Sequence, residues 1–136
     1  MLEYQVKKFG ITNYVCFMGL LRREEVYCLL HILNVSVMTS QWEGFCNAIV
    51  EAMAAELPVI ISDIPTLKEV VGSAGLYFRK GDYIDLAKKL EILINNRNMR
   101  NRYANLAKNR CFQLYDIEKT IGEYEEVYRF LLEKQI

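Results

Sequence analysis

Two carboxylates at a fixed offset carry the chemistry this sequence offers. Glu43 and Glu51 stand in the stretch 39–63, TSQWEGFCNAIVEAMAAELPVIISD, with seven residues between them. Gly44 follows the first; having no Cβ, it lets the backbone turn sharply and approach a ligand closely. Asn47 and the run Ala48-Ile49-Val50 then open a helix. The first amides of a helix have no partner within it, so that end attracts an anion such as phosphate. At a rise of about 1.5 Å per residue, the backbone of Glu51 falls roughly 10 Å from that of Glu43. The span suits a ligand with hydroxyl-rich groups at both ends and a phosphate between them. It does not suit a glycosidase, which holds two carboxylates about 5 to 9.5 Å apart across a single bond.

The elements that must position this stretch are legible on either side of it. Residues 2–9 read as the last turns of a helix stopped at Gly10, and 11–18 as a buried strand closed by Gly19. Residues 24–33 carry Val26, Leu29, Leu30 and Leu33 at helical spacing. Residues 35–38 form a second strand that ends where the glutamate loop begins, and ligands of open parallel sheets bind outside the carboxyl ends of strands. Ala52, Ala54 and Ala55 allow the next helix to pack closely, Pro58 stops it, and Val59-Ile60-Ile61 is a strand covered on both faces. Pro65 starts a short helix that Gly72 ends, and 76–78 is a further strand. Asp82 caps a helix with Leu86, Leu90, Leu93 and Ile94; helices over 99–111 and 117–133 complete the chain. Alternating strands and helices give an α/β fold: a Rossmann-like parallel sheet of about four strands flanked by helices, with a helical tail.

Composition narrows the class. The chain has 136 residues, enough for one domain with a core, and its 52% apolar and 25% charged residues are ordinary for a globular protein. Lysine plus arginine and aspartate plus glutamate balance at 17 each, which argues against a nucleic-acid or polyanion binder and makes any phosphate site local. No apolar run reaches the roughly 18 to 20 residues of a membrane span and the opening MLEYQVKK is polar, so the expected location is the cytoplasm. Cys16, Cys28, Cys46 and Cys111 lack metal-type spacing and are expected to be buried free thiols. His31, the single histidine, reads as structural, Trp42 as a packing residue, and Arg97, Arg100, Arg102, Lys108 and Arg110 as a solvated face. Tyr124, Tyr128 and Leu131 form one side of the last helix.

The stretch 39–63 resembles the donor-site motif of the retaining family-4 glycosyltransferases of GT-B fold, in which two glutamates separated by seven residues flank a glycine loop and a helix start. Val15-Cys16-Phe17-Met18-Gly19, the run SDIPTLKEVVGSAGLYF and the segment YDIEKTIGEYEEVYRFLL resemble further family segments in the same order, so nearly the whole chain is covered. The resemblance implies a partial nucleotide-sugar (donor) binding domain over residues 1–136. In it Glu43 contacts the donor sugar and Glu51 accepts hydrogen bonds from the ribose hydroxyls. The backbone amides of Gly44, Phe45 and Cys46 face the sugar, and those of Asn47 and Ala48 the distal phosphate. It implies a UDP- or GDP-sugar donor, no metal, transfer with retention assisted by the departing diphosphate, and a polysaccharide or glycolipid acceptor at the inner face of the membrane. A non-catalytic nucleotide-sugar binding or assembly module and a nucleotide-sugar epimerase of the same fold are the alternatives.

The sequence departs from the family in missing parts and in single residues. It holds no counterpart of the acceptor domain, of the first two donor-domain strands, or of the arginine and lysine that neutralise the diphosphate, so the chain alone is expected to bind donor poorly and transfer little. The strands at Val15 and Val35, whose usual neighbours are the missing ones, should pair with each other or expose edges that recruit a second copy. Cys46 stands where the family often has glycine or proline, and a helix start should depress its thiol pKa mildly. Glu56 replaces the glycine that usually precedes Leu57-Pro58, so that turn is made without positive φ or with a small strain. In the family the final helix packs on the other domain, which would leave the stripe on the last helix partly uncovered here.

Overall fold

The computed structural model describes residues 2–134. Three strands form its sheet: β1 (Ser36–Met38), β2 (Val59–Ser62) and β3 (Leu76–Phe78), all parallel and ordered β1-β2-β3, with Val37 opposite Ile60 and Ile61 opposite Tyr77. Every residue of β2 is buried. Its side chains alternate between two cores, as the pleat requires. Val59 and Ile61 join Ile49, Met53, Leu67 and Val71 on one face, whereas Ile60 meets Phe78 and Leu93 on the other.

Seven helices complete the described chain: α1 (Leu2–Lys8), α2 (Arg23–Ile32), α3 (Asn47–Ala54), α4 (Pro65–Val71), α5 (Tyr83–Asn95), α6 (Arg97–Leu114) and α7 (Ile117–Glu133). Their ends follow local chemistry. Asp82 accepts from the Ile84 and Asp85 amides at the start of α5, and Asn96 and Asp116 cap α6 and α7 in the same way. Gly72, at φ 52°, ends α4. Glu56 ends the α3 turn at φ 59°, so the strained alternative holds where a glycine would have been relaxed. The α/β architecture with a helical tail is as expected.

The strand expected over 11–18 does not form. Residues 12–14 make a short 3₁₀ turn, residues 15–18 join no strand, and every residue of 11–20 is exposed. The sheet therefore has three strands, not about four. Apolar content favours being covered, but a strand also needs a neighbour to exchange backbone hydrogen bonds with, and none is present on that side. Direct pairing of the segments at Val15 and Val35 is likewise absent: β1 pairs with β2 alone.

The basic cluster is less solvated than its composition implied. The Arg100 guanidinium donates to the Leu93 and Ile94 carbonyls at 2.6 and 2.7 Å, closing the end of α5. Arg110 donates to the Glu69 and Val70 carbonyls at 2.6 and 2.8 Å, closing α4, and Lys108 meets Glu56 at 2.6 Å. Orphan carbonyls at helix ends are natural partners for cations. Tyr124, Tyr128 and Leu131 are exposed, and no residue of α7 is buried. Among the described residues, no helix is long and apolar enough to cross a membrane.

Candidate functional site

The loop between β1 and α3 is held by hydroxyls. Ser62, the fully buried last residue of β2, donates to the Ser40 carbonyl. Ser40 in turn donates to a Glu43 carboxylate oxygen at 2.6 Å, and the Thr66 hydroxyl donates to the Glu43 carbonyl at 3.1 Å. The half-buried Glu43 is thereby fixed through side chain and backbone from two neighbouring elements, β2 and α4. One of its carboxylate oxygens keeps its acceptor capacity, since the Ser40 bond falls on the other. Sequence reasoning missed Ser40, Ser62 and Thr66. The available signal was Ser62 itself, a polar residue closing an otherwise apolar strand.

The start of α3 is open. Ile49 and Val50 donate to the Cys46 carbonyl at 3.2 and 3.4 Å, whereas the amides of Asn47 and Ala48 have no backbone partner among the described residues and no side chain caps this end. Asn47 and Ala48 are exposed, as are Gly44 and Phe45. The Phe45 ring meets Tyr115 edge-on, with centroids 5.6 Å apart. Cys46 is buried, and burial pushes its thiol up; the nearby Ile49 amide opposes this, the Glu43 charge adds to it, and the Ala48 amide opposes it again. The mild depression expected from the helix start is thus overturned, because loss of solvent outweighs the pull of the amides. Trp42 is 85% exposed rather than packed, for its side of the loop faces no other element among the described residues.

Glu51 projects from α3, exposed and with no hydrogen-bond or ion-pair partner among the described residues. About 6 Å further along the helix axis than Asn47, it lines a groove of about 430 Å³ between α2 and α3. Leu21, Val26, Leu30 and Ala54 supply the apolar lining, and Arg23 and Tyr27 the remaining polar groups. His31 lies outside the groove lining; its Nδ1 is 2.8 Å from the Tyr27 carbonyl, and its ring lies tilted against the Tyr27 ring with centroids 4.4 Å apart. The groove was not anticipated from sequence, because its two walls come from segments about 25 residues apart that only packing of α2 beside α3 brings together.

Of the four cysteines, all free, Cys46 and Cys111 are buried but Cys16 and Cys28 are exposed, contrary to the expectation for the latter pair. Cys16 falls in the segment that found no sheet, and Cys28 on the outer side of α2. Among the described residues no three His, Cys, Asp or Glu side chains gather in metal-binding range.

An open helix mouth beside an acid held by hydroxyls thus lies at the end of a parallel α/β sheet, and the comparisons give the family. The sequence pattern described as Glycosyl transferases group 1 matches residues 1–110, and the chain belongs to that family. It is 31% identical over 104 residues to the capsular polysaccharide biosynthesis glycosyltransferase CapM of Staphylococcus aureus, covering 75% of this chain and 27% of CapM. It is 36% identical over 113 residues to an α-1,4-N-acetyl-D-galactosaminyltransferase of Campylobacter jejuni, covering 81% of this chain and 30% of that enzyme. The chain thus spans less than a third of these relatives. The structure of HepE from Anabaena in complex with UDP-glucose superposes with a TM-score of 0.87 at 24% identity, over 94% of this chain and 35% of HepE. The fold is that of the C-terminal-type domain of GT-B glycosyltransferases.

Proposed function

We propose that this chain is the donor-binding part of a retaining, family-4 glycosyltransferase that moves a hexose-type sugar from a nucleotide diphosphate to a growing polysaccharide or glycolipid. The observation that carries the reading is the pair of amides at Asn47 and Ala48, without backbone partners among the described residues and set between Glu43 and the groove that Glu51 lines. In this reading the distal phosphate takes the Asn47 and Ala48 amides, where aligned backbone dipoles favour negative charge. Glu51 accepts from the ribose hydroxyls, which suits an acceptor-only carboxylate, and the base continues into the groove. Glu43, with the Gly44, Phe45 and Cys46 amides, holds the sugar. Stabilising charge on the departing diphosphate is the main catalytic contribution asked of these residues, and the diphosphate assists the incoming hydroxyl on the same face. No metal enters this scheme. Acceptor contacts and the remaining countercharge come from outside these 136 residues, so the chain alone binds donor weakly and transfers little.

Calorimetric titration with UDP, GDP and the corresponding nucleotide sugars tests the reading. Glu51→Gln should lower affinity for nucleotide and nucleotide sugar alike, by about ten- to hundredfold for a lost charged hydrogen-bond pair. Glu43→Gln should weaken the nucleotide sugars while leaving the bare nucleotides unchanged. If none of these ligands binds at millimolar concentration, the donor-site reading is wrong and a non-catalytic assembly module stands in its place.

A further inference from the structure

The groove between α2 and α3 offers a chemical preference that its position alone does not explain. Its lining is mainly apolar, and at about 430 Å³ it lies within the usual span of small-ligand sites. Besides Glu51, two polar side chains line it. Tyr27 is braced against His31 and presents an aromatic surface; Arg23 presents a guanidinium. The contrast with Arg22 is informative: Arg22 is tied to Glu25 at 3.1 Å, whereas Arg23, one residue on, makes no ion pair or hydrogen bond among the described residues. Arg23 is also the first residue of α2, where a cation stands against the positive end of the helix dipole. Exposed at the groove wall and without such a partner among the described residues, this cation is placed to meet an acceptor entering the groove.

We propose that Arg23 is the base-reading residue of this site and selects bases with a carbonyl oxygen at position 4 of a pyrimidine or position 6 of a purine, uracil or guanine, over cytosine and adenine, which carry an amino group there. The proposal rests on the donor-site reading above, which places the ribose on Glu51. Guanidinium carries five N–H donors and no acceptor, and it stays charged at any working pH. A base edge with a carbonyl oxygen, O4 of uracil or O6 of guanine, accepts from it. The exocyclic amino groups of cytosine and adenine stand at the equivalent positions and offer a donor to a donor. Discrimination then comes from repulsion of the wrong edge as much as from attraction of the right one.

The test is an NMR titration of the full chain with UDP, GDP, CDP and ADP to millimolar concentration, repeated with Arg23→Gln and, as a control, Arg22→Gln. The expected result is a preference of about tenfold or more for UDP and GDP over CDP and ADP in the unaltered chain. In Arg23→Gln, whose amide both donates and accepts, the preference should collapse through loss of UDP and GDP affinity, with CDP and ADP unchanged; Arg22→Gln should keep it. An equal loss of all four nucleotides in Arg23→Gln assigns that residue to the phosphates and overturns the proposal. So does binding of all four without preference in the unaltered chain, an outcome that leaves the donor site itself intact. Failure of every nucleotide to bind overturns both.

Discussion

Cys46 sits where two opposing influences on its thiol meet. The amides at the start of α3 favour a thiolate, and the core against which the side chain packs favours a thiol; burial prevails. Cys111, packed in the same core, is pushed up by burial alone. Thiol labelling should therefore divide the four cysteines into an exposed fast pair, Cys16 and Cys28, and a slow pair, Cys46 and Cys111, that reacts at full rate only after denaturation. Mass spectrometry of partly labelled protein reads this directly; a Cys46 that labels as fast as Cys16 would contradict it. The same shifts have a consequence for stability. The folded state holds the two protons more tightly than the unfolded one, so stability is fully present below the ordinary thiol range, about pH 8.5, and is lost as pH rises through the raised folded values. Thermal melting followed from pH 7 to 10 should move downward over the upper part of that range, and replacing both buried cysteines by alanine should flatten the slope there.

Elements were legible in the sequence to the extent that their own residues specify them. β2 was, because Val59, Ile60 and Ile61 can only be satisfied between two layers, and the helices were, because caps such as Asp82 and Asp116 and stops such as Gly72 act within a few residues. The segment 11–18 was misread because its apolar residues state a need for cover and not the presence of a pairing neighbour. The glutamate loop was legible as a motif, but the hydroxyl chain from Ser62 through Ser40 to Glu43 was not, since it links residues 22 apart in sequence. Arg110 belongs to the same class of long-range device. Read as part of a charged surface, it instead satisfies the last carbonyls of α4 from 40 residues away, helped by the Tyr115 hydroxyl, which donates to the Val70 carbonyl at 3.1 Å. Its guanidinium also lies where a side chain on Gly72 would be, 2.6 Å from an added Cβ. Arg110→Met keeps the stem and removes the donors, and should cost about 1.5 to 3 kcal/mol, the range for hydrogen bonds to a charged group. Urea unfolding measures it; a loss under about 0.5 kcal/mol, the usual size of a surface substitution, would mean that water serves those carbonyls equally well.

At the scale of the whole molecule, what stands out is how much apolar surface stays outside the two cores. Tyr14 and Leu20 are 88% and 102% exposed, Phe17 and Met18 about half, and α7 contributes Tyr124, Tyr128 and Leu131. β1 adds an open edge, since β2 occupies only its other side and Val37 remains partly exposed. Direct pairing of 15–18 with β1 would have blunted that edge, and it does not occur; exposed edges and apolar patches of this kind are what template association between copies. Light scattering coupled to size exclusion should show a mass rising above the 15.9 kDa of one chain as loading concentration increases. Lysine on an exposed strand edge is a known deterrent to such pairing. Val37→Lys should therefore return the mass toward one chain if the β1 edge is the contact, whereas Tyr128→Lys should do so if the α7 stripe is. A mass that stays at one chain from about 10 to 200 μM, well into the range where exposed edges and apolar patches associate, would show that neither surface is sticky enough to matter.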